Sequence, residues 1–176
     1  AAQLNKRPKD GFLHNRRVIV ADGTGVSMPD TPENQEFWPQ WSSQKPGCGF
    51  PTARICACFS LETGALLSYA NGNKKSHELL MLRKQWKTFK RGDIFLEDKG
   101  FCSYFDMASL QDQGVDSVVT LARRAPVRPA SSLKKLGPDD LLISWDRPLY
   151  TPKLSYSKEA WEALPQKLVL RQVKVR

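Results

Sequence analysis

The sequence has no long apolar run and no sign of export. No stretch of about 18 apolar residues occurs, which argues against a membrane-spanning helix. The first ten residues are polar and charged, and they lack the apolar segment that a secretory signal needs. Together these absences predict a cytoplasmic protein.

Histidine and cysteine, the residues that build most zinc and disulfide sites, are also scarce. There are two histidines and four cysteines, and the cysteines form no paired CxxC motif, so a structural zinc site is not expected. A disulfide framework is not expected in a cytoplasmic chain either. Cys56 and Cys58 stand two apart in an apolar run, which predicts that both face the core from one side of a strand.

Acidic residues are too few to balance the basic ones. Lysine and arginine number 27 against 18 aspartates and glutamates, which gives a net charge of +9. Such an excess favours a polyanionic partner, either a nucleic acid or an anionic membrane, although many soluble proteins are simply basic. No basic helix with a strongly apolar face is evident, which makes the membrane the weaker alternative.

Short apolar runs that end in turn residues predict the strands of the fold. The predicted strands are 18–21, the hairpin 54–60 and 65–70, then 93–98, 117–122, 141–145 and 168–176. Two helices are predicted, one capped by Ser76 and running to about Phe89, the other opened by Ser103 and Asp106 and ending near Gly114. This order of strands and helices predicts an α/β fold around one sheet.

A stretch rich in proline, glycine, serine and asparagine separates the first strand from the hairpin. Residues 23–52 hold no obvious element, so they form either a functional loop or an element that the pattern does not reveal. Within the first helix, Leu79, Leu82, Trp86 and Phe89 recur on one face and are expected to enter the core.

Two aspartates follow apolar strands directly and precede glycine-containing turns. If the strands that end at Asp22 and Asp98 are neighbours, both carboxylates lie at one rim of the sheet. Close carboxylates stay ionised together when a cation lies between them, and hard oxygen ligands favour Mg²⁺ or Mn²⁺. Paired divalent ions suit in-line phosphoryl displacement. Spacing alone leaves open that both are ordinary turn residues.

Two blocks of sequence around these aspartates resemble those of a known family. Asp22-Gly23-Thr24, followed by Asp30-Thr31, Asn34-Gln35 and Gly47-x-Gly49-Phe50-Pro51, is similar to the first catalytic block of DDE transposases of the bacterial insertion-sequence kind. Their second block resembles the segment from Gly92-Asp93 to Leu96 and Asp98-Lys99-Gly100-Phe101-Cys102-Ser103-Tyr104. A thinner similarity continues to Arg176, so the resemblance covers nearly the whole chain.

The resemblance implies a ribonuclease-H-like catalytic domain, a mixed sheet flanked by helices. It implies Mg²⁺-dependent cleavage of a DNA strand by water and strand transfer by a DNA 3′-hydroxyl, with Asp22 and Asp98 as the first and second catalytic, metal-binding aspartates. The partners would be transposon ends and target DNA, and the location the cytoplasmic nucleoid. Lys99 stands where the family usually has arginine, so it keeps the charge and loses bidentate phosphate binding.

The family's third carboxylate, a glutamate within a signature of tyrosine, arginine, glutamate and lysine, is not found in these 176 residues. Glu159 and Glu162 follow Tyr156 without the arginine that the signature requires, and they are not assigned. We therefore expect an incomplete chain that is inactive alone. Residues 1–122 are expected to form the first part of the ribonuclease-H-like core and residues 123–176 an incomplete β-rich insertion.

Eight further residues are candidates for DNA contact. They are Thr24, Asn34, Gln35 and Lys99 in the two blocks, and Lys84, Lys87, Arg123 and Arg124 in the basic segments. Two alternatives remain open, a metal-dependent nuclease or phosphatase and a DNA-binding remnant without chemistry. The last strand, which alternates Val169, Arg171, Val173 and Val175 on one side, is expected to self-associate or to be poorly ordered.

Overall fold

The computed structural model of the chain describes residues 13–120, 132–151 and 156–174. The strands are β1 Val18–Ser27, β2 Thr52–Ser60, β3 Leu66–Gly72, β4 Ile94–Glu97, β5 Asp116–Val119, β6 Ser132–Gly137, β7 Asp140–Asp146 and β8 Lys167–Val173. The helices are α1 Pro32–Phe37, α2 Glu78–Arg83, α3 Tyr104–Asp112 and α4 Lys158–Glu162, with 3₁₀ turns at Trp86–Thr88 and Lys99–Phe101. None of the helices in the described ranges is long and apolar enough to span a membrane.

Five strands form the first sheet, in the order β3-β2-β1-β4-β5. Strand β2 runs antiparallel to both β1 and β3, whereas β4 lies parallel to β1 and β5 lies parallel to β4. Helices α2 and α3 fall between the later strands in sequence, as parallel connections require. The result is the mixed sheet flanked by helices that a ribonuclease-H-like fold implies, and the predicted order of elements up to β5 is confirmed except for the additional helix α1.

The first strand does not end at Asp22, as its apolar run suggested. It continues to Ser27 because β2 pairs with it throughout, from Ile19 opposite Ser60 to Ser27 opposite Thr52. Helix α1 then occupies part of the stretch expected to lack regular structure, with Thr31 as its N-cap and proline at its start. Residues 23–52 therefore contain a strand extension and a helix that the sequence pattern did not reveal.

The helix predicted from Ser76 to about Phe89 is shorter and divided. Its N-cap is His77, and α2 ends at Arg83 before the 3₁₀ turn begins. Gln85 is the physical reason for the break: its side-chain Nε2 donates to the carbonyls of Cys56 and Met81. The side chain therefore takes the acceptor that the next α-helical turn would have used, and the Gln85 backbone N–H bonds to Leu82 instead.

Helix α3 begins and ends where the sequence predicts. Ser103 accepts a hydrogen bond from the Asp106 backbone N–H, and Gly114 adopts a φ of 75° just past the helix. The expected capping-box role of the Asp106 side chain is wrong, however. Its carboxylate is buried and accepts two hydrogen bonds from Arg83, at 2.7 and 2.9 Å.

The main core lies between the first sheet and its helices. Ile19, Phe95, Cys56 and Cys58 reach it from the strands, and all four side chains are fully buried, which confirms core packing for the two cysteines. The predicted helical stripe enters the same core. Its members are Leu79, Leu82, Trp86 and Phe89.

Strands β6, β7 and β8 form a second, antiparallel sheet with β7 in the centre. It packs on α3 through an aromatic group in which Tyr104 meets Trp145 and Trp161, and Phe105 stacks on Tyr156 at 4.2 Å. Strand β8 pairs with β7 on one side only within the described ranges. The expected domain division after residue 122 falls outside the described residues and stays a prediction.

Candidate active site

The register of two parallel strands brings the predicted aspartates to neighbouring positions. Strand β1 pairs with β4 from Val18 opposite Ile94 to Val20 opposite Leu96. Two residues further along each strand direction stand Asp22, still within β1, and Asp98, the first residue after β4. Because adjacent strands lie about 4.8 Å apart, this register sets the two residues side by side at one edge of the pairing.

Both aspartates lie on the same face of the first sheet, which we call the open face. Ala21 and Glu97, their immediate neighbours, are buried toward the helices, so strand alternation turns Asp22 and Asp98 the other way. Both aspartates are exposed. Leu96 and Val118 on this face are 37% and 53% exposed, which leaves the carboxylates open to solvent and to a large ligand.

Gly23 lets helix α2 approach the strand that carries Asp22. A Cβ at Gly23 would lie 2.6 Å from Oε1 of Glu78. Arg54 holds Glu78 in place through a 3.1 Å ion pair and also donates to the Ser76 carbonyl. The Gly23 backbone N–H in turn donates to Oδ1 of Asp22 at 2.8 Å. Sequence reasoning missed this ion pair, because its partners lie 24 residues apart with no shared motif.

The candidates in the first block divide into two groups. Thr24 is exposed on the open face, two residues beyond Asp22 on the same strand. Asn34 and Gln35 instead hold the loop that contains α1: Asn34 donates to the Pro29 carbonyl, and Gln35 donates to Asp30 and to the carbonyl of Gly49. Their visible role is to shape the loop.

The basic candidates are not all on the open face. Lys99 is exposed in the 3₁₀ turn directly after Asp98. Lys84 and Lys87 are exposed at the end of α2 and in the following turn, on the helical layer that covers the opposite face of the sheet. Arg123 and Arg124 lie outside the described residues.

Glu97 is a buried carboxyl that sequence reasoning did not single out. It directly precedes Asp98, points into the core and is 3% exposed. Burial, with a smaller contribution from the negative charge of Asp106, raises the pKa of Glu97 to about 8. The side chain is therefore mostly neutral at pH 7 and adds little negative charge beside the aspartates.

Comparison with solved structures finds transposases. The chain is similar to the piggyBac transposase in its synaptic complex with hairpin DNA (10% identity, TM-score 0.44), covering 73% of this chain and 30% of that one. It is also similar to the Mos1 transposase in a paired-end complex with the left transposon end (13% identity, TM-score 0.39), covering 65% and 38%. The chain thus spans less than two fifths of the length of these two structures. No match was found among curated proteins.

A family model gives the assignment directly from the sequence. The model described as the transposase DDE domain matches residues 13–154, a range that includes both aspartates and seven of the eight strands. The match extends over well more than half of the 176 residues. The chain therefore belongs to the transposase DDE domain family.

Proposed function

We propose that Asp22 and Asp98 are two of the three metal-binding carboxylates of a DNA transposase that cleaves a DNA strand and transfers it. The observation that carries this proposal is the parallel register of β1 and β4, which extrapolates to Asp22 beside Asp98. The family assignment supports this reaction class, and the excess of basic residues supports DNA as the partner.

The donor set fits a hard divalent cation. Both side chains are carboxylates, both are exposed on the same face, and Mg²⁺ is commonly held by one or two carboxylates together with substrate phosphates. No group of three or more histidine, cysteine, aspartate or glutamate side chains suited to a metal occurs in the described ranges, so two protein ligands are assigned. When bound, such ions stabilise negative charge on the attacking and leaving oxygens of phosphoryl transfer.

The chain's own residues would hold and orient the DNA at this face. Lys99, one residue after Asp98, would contact a phosphate beside the pair, and Thr24, two residues beyond Asp22, would contribute its hydroxyl. Lys84 and Lys87, on the opposite layer, would contact DNA away from the reacting phosphate. Their contribution is then to affinity and not to the chemical step.

Titration calorimetry with MgCl₂ and MnCl₂ tests the pair. We expect weak binding by the unaltered chain, because two carboxylates leave an ion with few protein ligands. Asp22→Asn and Asp98→Asn should each abolish it, while Asp30→Asn, at an exposed carboxylate in the neighbouring loop, should not. Equal metal binding by the unaltered chain and Asp98→Asn would refute the site.

Plasmid nicking separates the transposase from the nuclease alternative. With two carboxylates in place, the isolated chain is expected not to nick supercoiled DNA with either metal. Tight metal binding together with nicking that Asp98→Ala abolishes would instead indicate a complete metal-dependent nuclease within these residues.

Self-association through β8, which is an edge strand among the described residues, remains a prediction. Concentration-dependent sedimentation tests it.

A further inference from the structure

The loop between β1 and β2 encloses an open pocket of about 520 Å³, within the usual size range of small-ligand sites. Its lining includes Asp30, Trp41, Ser42, Gln44 and Lys74. Lys74 follows the end of β3, and the rest belong to the loop. An aromatic ring, an amide, a hydroxyl and both signs of charge therefore meet at one site.

Two glutamines make the wall of this pocket rigid. Gln40 donates to the carbonyls of Gln44 and Lys45 and accepts from the backbone N–H groups of Gly47 and Gly49. The Gln35 Oε1 accepts from the backbone N–H of Gln40, and its Nε2 donates to Asp30 and Gly49. These bonds use the donors of both amides and three of their four acceptor positions, so their role is to hold the loop in shape.

Other polar groups at the pocket retain capacity for a ligand. No hydrogen bond within the described ranges engages the side chains of Ser42 and Gln44. Asp30 receives a bond at Oδ1 only, and Lys74 gives one of its three N–H donors to the Gln40 carbonyl. The pocket can therefore bond both donors and acceptors of a planar polar ligand.

Trp41 supplies a stacking surface that is already fixed in position. The Arg54 guanidinium lies 5.5 Å from the centre of the indole, and Arg54 is held by Glu78 and the Ser76 carbonyl. Trp41 is 36% exposed and lines the pocket, whereas Arg54 does not line it. Bases stack on aromatic side chains, and an arginine beside the ring adds a cation–π contribution.

We propose that this pocket binds one unpaired base of a DNA strand, stacked on Trp41, with Lys74 near its phosphate. This inference rests on the proposed function, since it takes DNA as the partner. Arg54 pairs with Gly25, three residues or roughly 10 Å beyond Asp22 along β1, and its side chain lies with Glu78 on the helical face of the sheet, opposite the open face. A strand bound at the open face would reach the pocket by passing around the end of the sheet where the loop joins β1 to β2.

Binding of a duplex with one bulged base tests the proposal. The bulged base is 2-aminopurine, whose fluorescence falls when it stacks, and a fully paired duplex of the same length is the reference. Trp41→Ala should weaken binding of the bulged duplex by about 5- to 150-fold and remove the quenching, because stacking contributes about 1–3 kcal/mol per base. Affinity for the paired duplex should not change.

Two variants control for aromatic character and for the loop. Trp41→Phe should restore most of the quenching. Phe37→Ala, at a 64% exposed ring of α1 that does not line the pocket, should behave as the unaltered chain. Circular dichroism checks that each variant is folded.

Equal binding and quenching of the bulged duplex by the unaltered chain and Trp41→Ala would overturn the pocket assignment. If the paired duplex and the metal still bind, the proposed function survives that result. Failure to bind either duplex would overturn both. Binding of free deoxynucleoside monophosphate as tightly as the bulged duplex would overturn the assignment to a DNA strand.

Discussion

Arg83 and Asp106 form a buried ion pair. The pair lies beside Phe105 and Tyr156, two rings of the aromatic group between α3 and the second sheet. Asp106 is 1% exposed, and Arg83 lies over the rings of Phe105 and Tyr156 at 4.8 and 5.2 Å. A buried charge that loses its partner is costly, because neither water nor another ion replaces it. This pair therefore fixes α3, the helix that follows the Asp98 turn, against α2.

Asp106→Ala should lower the free energy of unfolding by about 3–5 kcal/mol, since it leaves Arg83 without its carboxylate in a largely buried position. Asp140→Ala is the matched control. Asp140 pairs with Arg171 in the same two-bond geometry, but the Arg171 side chain is 62% exposed, so its loss should cost about 1 kcal/mol or less. Urea unfolding measures both. Equal losses would show that burial does not decide the strength of the first pair.

The cysteines should differ in reactivity according to burial. Burial raises the pKa of both Cys56 and Cys58 to about 11, so at pH 8 only about one molecule in a thousand carries either thiolate. Iodoacetamide at pH 8 should therefore modify the exposed Cys48 and spare these two until urea unfolds the chain. Peptide mass spectrometry gives the order. Modification of Cys56 at the rate of Cys48 in the folded chain would contradict the core assignment.

At the scale of single elements, local signals predicted boundaries well where they acted alone. The serine cap and the glycine at 114 placed α3 within a residue or two, and Gly64, which has a φ of 66°, marks the turn of the β2–β3 hairpin. Predicted boundaries were wrong where residues distant in sequence determine the end of an element. Gln85 interrupts the predicted helix by donating a hydrogen bond to the Cys56 carbonyl in β2. Pairing with β2 extends β1 past the polar residues at which its apolar run ends.

Gly114→Ala should destabilise the end of α3. The residue has a φ of 75°, which disfavours a side chain, and an added Cβ would lie 3.0 Å from the Arg91 side chain. We expect a loss of about 1 kcal/mol or more in the free energy of unfolding. Gly100→Ala is the control, because its φ is not in the left-handed region and a Cβ there meets nothing within 4 Å. A loss no larger than that of the control would contradict the cap assignment.

At the scale of the whole molecule, the sheet separates two kinds of surface. The open face carries Asp22, Thr24 and Asp98, and the helical layer on the other side carries Lys84 and Lys87. The neighbouring positions of Asp22 and Asp98 could be predicted because each residue follows an apolar run within a family motif. That Lys84 and Lys87 lie on the opposite side of the sheet from the aspartates could not be predicted, because it depends on which face α2 covers.

DNA binding should be mainly electrostatic and should fall steeply as salt rises. Replacing Lys84 and Lys87 by glutamine should weaken binding to any sequence and reduce the salt slope by about 1 for each phosphate that the variant no longer neutralises. Lys158 and Lys167, which pair with Glu162 and Asp146, provide a double-glutamine control of equal charge change. Fluorescence anisotropy across salt concentrations measures the slopes. A flat response would remove the basic surface from the account.

Asp22 and Asp98 are proposed to form one metal site. Anomalous diffraction from crystals soaked in excess Mn²⁺ tests it most directly, because it locates the ion and both side chains together. We predict the two carboxylates within roughly 4–7 Å of each other, and a manganese peak within about 2.2 Å of an oxygen of each. Carboxylates on opposite edges of the sheet, or a peak that contacts one aspartate and not the other, would contradict the account.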